Sequence, residues 1–373
     1  MAALEKSVVH LSMRFGAQEL AIGTGFLYER HGRLFVVTAW HNVTGRHSES
    51  LNCQNRNASV PDNVLVTVRT KIDNKGSDQG SYPISVAVPL VGKDNALFYV
   101  HPKGWPRVDV VAIPFDPDSL EMEFYAGDEF HKEPIRSLFP PPGSGDVTFE
   151  FCPFQNFSVS DRRLEQEWLE TVDVTEELFI PGYPRNIQAQ HSRPVWKRAT
   201  IASSVQQGLD GQPRFLIDSA SHKGMSGSPV VFYSPGGTVR VGGTTSFLGV
   251  EAAILVGVYV GRIGVTNGID PQVGTVWHRD VIDQIIDAQC FERLSWDIAA
   301  SSREREAAIR SLLSGFPKGL VDSISDSKKS MRHVAHRKIM EDLNGRASPS
   351  QVLDELIEIA SSYTGPYAAD EGD

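Results

Sequence analysis

Val9, Leu11, Met13 and Phe15 alternate with His10, Ser12 and Arg14, the period-two spacing of a strand with one buried face. Gly16 offers a turn, and two further β-rich runs follow at 20–28 and 34–39, separated by Glu29-Arg30-His31-Gly32-Arg33. Residues 8–39 therefore predict three antiparallel strands in a meander. Similar short runs recur at 64–68, 84–88, 97–100 and 108–113. With Gly, Pro and Asn between them, they suggest a barrel or sandwich rather than βαβ units.

From 116 to about 163 the pattern gives way to Pro114, Pro117, Pro134 and the run Pro140-Pro141-Pro142-Gly143-Ser144-Gly145, which reads as a connection with some local structure of its own. Strand patterns resume at 168–174, 178–180, 199–205, 214–217, 229–232, 239–241 and 254–260. Val281, Ile282, Ile285 and Ile286 then fall on one helix face. Helical spacing continues through 302–313 and 321–343. Ser348-Pro349-Ser350-Gln351 has the form of a helix start, and the chain ends on the acidic run 370–373.

Composition narrows the function classes. The 373 residues are enough for two or three domains, and 32 Gly with 22 Pro fit a turn-rich β protein. Lys and Arg number 36 against 46 Asp and Glu, so a nucleic-acid or anionic-membrane partner is disfavoured. The longest apolar run, 252–260, is about half the ~20 residues that span a bilayer. No basic-then-apolar signal opens the chain. Cys53, Cys152 and Cys290 are odd in number and widely spaced, without metal-ligand spacing, and read as thiols in a reducing compartment. Asn42-Val43-Thr44 is formally a glycosylation acceptor, but a glycan there would crowd His41. These features together lean towards a cytoplasmic location.

Three patterns carry chemistry, in the order His, Asp, Ser. Gly23-Thr24-Gly25-Phe26-Leu27 precedes the apolar run 35–39, and Trp40-His41 follows it, so a histidine stands at a strand end, held yet reachable. Asp109 lies within Val108-Asp109-Val110-Val111-Ala112-Ile113, where a carboxylate needs a partner such as an imidazole N–H. In Gly224-Met225-Ser226-Gly227-Ser228-Pro229, glycines flank a serine on a tight turn, a setting in which backbone N–H groups can face a developing oxyanion. The G-x-S-x-G arrangement does not fit, because Ser228 occupies its last glycine. Taken singly, each residue has a plain structural alternative: a surface histidine, a cap aspartate, a hairpin serine. His101, His191, His222 and His278 read as structural, since no second ligand sits at metal-binding spacing.

Together these segments resemble the chymotrypsin-like serine peptidases, particularly the bacterial trypsin-like domains related to the high-temperature-requirement type. Leu178-Phe179-Ile180-Pro181-Gly182-Tyr183-Pro184, the segment 218–224, the run 256–260 and the helix at 281–286 add to the resemblance, which covers roughly residues 8–290. It implies a mainly β fold with two antiparallel six-stranded barrels. Residues 1–115 would form the first barrel, 116–165 a connection, and 166–295 the second barrel with its terminal helix. Residues 296–373 are expected to be a small α-helical accessory module. His41, Asp109 and Ser226 would be the catalytic residues, the N–H groups of Gly224 and Ser226 the oxyanion hole, and Ala220, Ser221, Tyr259 and Val260 the substrate pocket.

Trp40 replaces a usual small residue, and Met225 stands where secreted relatives carry an aspartate that pairs with a new N-terminus. Ala220 stands where trypsin has an acid, so cleavage after basic residues is not implied. The expected activity is a serine endopeptidase acting on protein or peptide substrates without metal or organic cofactor. By analogy with modular bacterial peptidases, it would be a regulated effector whose helical module recruits a protein partner or a second copy. The alternative is a peptidase-fold scaffold that binds without turnover.

Overall fold

The computed structural model describes residues 3–48, 51, 53–54, 60–74, 77–103, 107–126, 129–138, 147–262, 272–294 and 298. The chain divides into two compact units, one of 1–48, 53–103 and 107–295, the other of 49–52, 104–106 and 296–373. The helical reading of 296–373 lies outside the described residues apart from Ile298. The architecture below is that of the first unit.

Its N-terminal half is built from β1 (Val8–Phe15), β2 (Gln18–Arg30), β3 (Arg33–Thr38), β4 (Asn63–Asn74), β5 (Ser77–Pro89), β6 (Tyr99–Val100), β7 (Val111–Pro114), β8 (Glu121–Ala126), β9 (Glu129–Pro134) and β10 (Val147–Phe151). The C-terminal half contributes β11 (Glu177–Gly182), β12 (Val195–Ile201), β13 (Arg214–Asp218), β14 (Pro229–Ser234), β15 (Thr238–Val241), β16 (Thr244–Phe247), β17 (Ala252–Arg262), β18 (Val273–His278) and β19 (Cys290–Phe291). Among the described residues three α-helices interrupt them: α1 (Trp40–Thr44), α2 (Arg162–Thr171) and α3 (Asp280–Ala288).

The C-terminal half closes as a six-stranded barrel in the order β11-β12-β13-β18-β17-β14. The N-terminal half differs from the first barrel expected for residues 1–115. Its strands form an 11-stranded sheet, β19-β6-β7-β3-β2-β1-β4-β5-β8-β9, with β10 added to β4. Strand β4 outruns β1: Asn63–Thr67 pair with β1, and the continuation Thr70–Asn74 pairs with β10. A strand that outruns its neighbour exposes a fresh edge, and here β10 covers it. The expected three-stranded meander is present as β1, β2 and β3.

The continuous apolar run of β17 has a two-sided explanation. Ala252, Ile254, Val256 and Tyr259 face the barrel core with Phe215, Ile217 and Met225. Ala253, Leu255, Val258 and Val260 join a second cluster with Phe26, Phe35, Val37 and the α3 residues Val281, Ile282, Ile285 and Ile286. A strand buried on both faces shows no alternation. The expected face of α3 is confirmed, since those four residues are at most 2% exposed. Burial of this kind contributes about 1.5–3 kcal/mol per large aliphatic side chain.

Two local expectations are corrected. Residues 168–174 are not a strand: Trp168 lies in α2, where Asp161 caps the N–H groups of Arg163 and Leu164 and the turn buries Glu165, Trp168 and Leu169 together. Strand β7 begins at Val111, so Asp109 precedes it rather than lying within it. The strands β8 and β9 fall in the stretch read as a connection, and β16 and β18 carry no strand expectation; β18 completes the barrel between β13 and β17.

Candidate active site

His41 sits on α1, the single turn that follows β3. Gly45 ends that turn in a left-handed conformation, φ 63°, with its N–H on the His41 carbonyl. Asp109 faces it from the segment before β7, which pairs with β3 through Thr38 and Val111. The Asp109 carboxylate accepts from the His41 backbone N–H at 3.0 Å. It also engages His41 Nδ1 at 2.9 Å through Oδ2 and 3.1 Å through Oδ1. An ionised carboxylate only accepts, so Nδ1 carries the proton and Nε2 is left as the basic nitrogen. Nε2 has no hydrogen-bond partner among the described residues. Burial alone would lower the His41 pKa; the charge of Asp109 and its hydrogen bond outweigh that, and the net shift is upward from 6.5.

Ser226 reaches the same place through its main chain. Its carbonyl accepts from the Thr24 N–H at 3.0 Å and from Asn42 Nδ2 at 2.9 Å. Asn42 is the residue after His41, so the nucleophile candidate is tied to the turn that carries the base candidate. Thr24 also donates its Oγ1 proton to the Gly224 carbonyl at 2.7 Å. The Ser226 hydroxyl itself donates to the Val260 carbonyl at 3.2 Å. Among the described residues no hydrogen bond joins Ser226 Oγ to His41.

Glycine is required on both sides of Ser226. Gly224 and Gly227 have φ of 93° and 89°, which side-chain-bearing residues rarely adopt. A Cβ on Gly224 would stand 2.4 Å from the Tyr183 carbonyl oxygen, and one on Gly227 would stand 2.0 Å from that of Thr24. This backbone turns Gly227 N–H onto the Tyr259 carbonyl at 2.7 Å and Ser228 N–H onto Met225 at 2.9 Å. The N–H groups of Gly224 and Ser226 have no partner among the described residues. Two unpaired donors beside a serine hydroxyl can stabilise an oxyanion. Met225 between them is fully buried in the barrel core, which is why an apolar residue serves there.

The other sequence candidates are spread around this turn. Ala220 is exposed. Ser221 is fully buried, with its hydroxyl against the Tyr259 phenol. The Tyr259 ring is closed into the barrel, where a Cβ on Gly274 would stand 2.6 Å from it. Val260 supplies the carbonyl that holds Ser226 Oγ. The segment 263–271 lies outside the described residues. Two cavities, of about 760 Å³ and about 590 Å³, are lined by other residues, including Arg162, Glu165 and Arg279 in both.

Thr24 and Asn42 are site residues that the sequence did not single out as such. For Thr24 the signal was Gly23-Thr24-Gly25, whose glycines allow close backbone approach. Asn42 was legible only as a glycosylation acceptor. It is 8% exposed, and its Nδ2 is committed to Thr38 Oγ1 at 3.0 Å and to Ser226. A glycan on Nδ2 would displace both bonds.

No family model matches the chain, and no curated protein matches it. Among solved structures, it is similar to the Rv3671c protease from M. tuberculosis in its active form. That similarity has a TM-score of 0.37 and 16% identity, covering 77% of this chain and 82% of that one. It is also similar to a serine endoprotease from Yersinia pestis, with a TM-score of 0.36 and 12% identity, covering 76% of this chain and 62% of that one. Among the described residues no helix is long and apolar enough to cross a membrane.

Proposed function

We propose that the chain is a serine endopeptidase that hydrolyses protein substrates through an acyl-enzyme. The observation that carries the reading is the Asp109 carboxylate engaging both the backbone N–H and Nδ1 of His41, while Nε2, without a partner among the described residues, is left to act as a base. In the reaction, Ser226 Oγ leaves the Val260 carbonyl and gives its proton to His41 Nε2 as it attacks the scissile carbonyl carbon. The resulting oxyanion takes hydrogen bonds from the Gly224 and Ser226 N–H groups. His41 returns the proton to the leaving amine, Asp109 holds the imidazolium, and water repeats the sequence to release the acid. None of these steps calls for a metal or organic cofactor.

The exposed Ala220 and the absence of a carboxylate at positions 220–221 support an uncharged P1 residue of small to medium size. The reducing compartment inferred from the cysteines and the apolar stripes of 296–373 support a cytoplasmic, regulated effector of the bacterial signalling or defence kind. In that reading the C-terminal segment recruits a protein partner or a second copy.

The alternative, a scaffold without turnover, is favoured by one observation: Ser226 Oγ rests on Val260 and not on His41. Profiling new N-termini in a denatured proteome treated with the protein or with Ser226→Ala separates the two. The peptidase reading expects cleavages that vanish in the variant. Identical profiles would favour the scaffold, and a dominant Arg or Lys at P1 would overturn the pocket assignment.

A further inference from the structure

After α3 the chain does not stop at the barrel. Cys290 and Phe291 pair with Val100 and Tyr99, which places β19 on the edge of the N-terminal sheet. Glu292 continues the ladder irregularly: its N–H donates to the Phe98 carbonyl at 3.2 Å, and its carbonyl accepts from the Ala96 N–H at 2.9 Å. Its side chain turns inward and is 2% exposed. Oε2 accepts from the Trp40 indole Nε1–H at 2.8 Å. Oε1 accepts from Arg107 Nη2 at 2.8 Å and from the Arg293 N–H at 2.9 Å.

The two side-chain partners are not arbitrary places in the fold. Trp40 is fully buried and is the residue before His41; Arg107 lies two residues before Asp109. A buried carboxylate is tolerated only when paired and hydrogen-bonded, so these bonds hold one another in place. They also account for the indole at position 40, where the sequence alone offered no reason for a large side chain: its N–H is the contact through which the carboxylate grips α1.

We infer that Glu292 is a positioning residue, a single buried carboxylate that fixes the two segments carrying His41 and Asp109. The inference rests on the peptidase reading for its catalytic meaning, though not for its geometry. Glu292 acts through Trp40 and Arg107 and is not itself placed at the reacting atoms. Loss of either clasp leaves α1 and the segment before β7 joined only by the Asp109–His41 bonds and the β3–β7 pairing, with more freedom to shift against each other. A shift of about 1 Å in such a pair is enough to slow the chemistry by about two orders of magnitude.

The test uses the full chain with Glu292→Gln, in which the amide can accept from one donor but presents its own N–H groups to the other. ¹⁵N-detected titration of the imidazoles reads the His41–Asp109 contact without any need for turnover. The expected result is a His41 midpoint lowered by about half a pH unit or more, because the Asp109 interaction that raises it is loosened. Fluorophosphonate labelling at Ser226 is expected to slow at least about tenfold. Trp40→Phe, which removes only the indole N–H contact and some volume, is expected to move the same midpoint in the same direction by a smaller amount. It keeps the test alive should Glu292→Gln fail to fold. The double variant is expected to equal Glu292→Gln alone, since both cut one chain of contacts.

A His41 titration unchanged in folded Glu292→Gln and Trp40→Phe would overturn the inference and leave Glu292 a purely structural residue. If the unsubstituted chain is never labelled, the peptidase reading fails, yet the titration still decides whether Glu292 positions the pair.

Discussion

Asn42→Ala isolates the contact that joins the nucleophile turn to the helix carrying His41. The substitution removes Nδ2, which donates at 3.0 Å to Thr38 Oγ1 and at 2.9 Å to the Ser226 carbonyl. Neither acceptor is left wholly unpaired. Ser226 keeps the Thr24 N–H at 3.0 Å, and Thr38 Oγ1 still donates to the Thr24 carbonyl at 2.7 Å. The loss is therefore the net worth of two ordinary hydrogen bonds, about 2 kcal/mol in sum at roughly 1 kcal/mol each. The side chain also fills the space above Gly23, where a Cβ would meet Nδ2 at 2.6 Å, so some packing goes with it.

Urea unfolding gives the stability change, and the rate of fluorophosphonate labelling gives the effect on Ser226. The expected outcome is a lowered midpoint with unchanged m-value, together with labelling slowed about tenfold. Asn42→Asp sharpens the test. Its carboxylate would face two oxygens, so the charged form is disfavoured and the folded pKa lies above that of the unfolded chain. Its stability deficit is then small below the unfolded carboxyl pKa, grows as pH rises from that pKa to the folded one, and is constant above it. A destabilised Asn42→Ala that labels at the full rate would show that this contact holds the fold without positioning Ser226. A variant as stable as the parent would contradict the hydrogen-bond geometry itself.

Labelling should fall as pH drops through the His41 pKa, with a midpoint above the ordinary 6.5 because Asp109 favours the imidazolium; a midpoint below 6.5 would mean that burial dominates. Asp109→Asn removes the raising influence, so its midpoint should shift downward, with kcat reduced by about 10⁴. Gly227→Ala forces a Cβ to within 2.0 Å of the Thr24 oxygen at φ 89°. It should cost roughly 2–5 kcal/mol in thermal or urea unfolding, and a cost under about 1 kcal/mol would argue against the close approach of the turn to β2. Ending the chain after residue 295 retains the first compact unit and Glu292 and should preserve labelling, whereas ending it after 289 should abolish it. Equal labelling of the two truncations would detach β19 from the site.

How much of this the sequence discloses depends on the range of the interactions. The meander β1–β3 and the apolar face of α3 follow from local periodicity, and both are present. The association of His41 with Asp109 was readable because a carboxylate in an apolar stretch needs a partner. The addition of β10 to the 11-stranded sheet is not readable, because it depends on how far β4 outruns β1, and strand length beyond a pairing edge leaves no periodic mark. Strand β18 gives a weak signal for a related reason: in Val273–His278 the glycine at 274 breaks the apolar alternation, and the strand is defined by its pairing with β13 and β17. The roles of Asn42 and Glu292 are long-range, spanning 184 and 252 positions to Ser226 and Trp40, and no local pattern announces a hydrogen bond of that kind.

Covalent capture of the nucleophile tests the central claim most directly. The full-length chain is incubated with a fluorophosphonate, its intact mass is measured, and the modified peptide is sequenced. A single adduct on Ser226, absent from Ser226→Ala and strongly reduced in His41→Ala, is the expected result. A folded chain that gains no adduct at any pH between about 6 and 9, the range over which an imidazole base would pass fully to its neutral form, would contradict it, as would an adduct on another residue that survives Ser226→Ala.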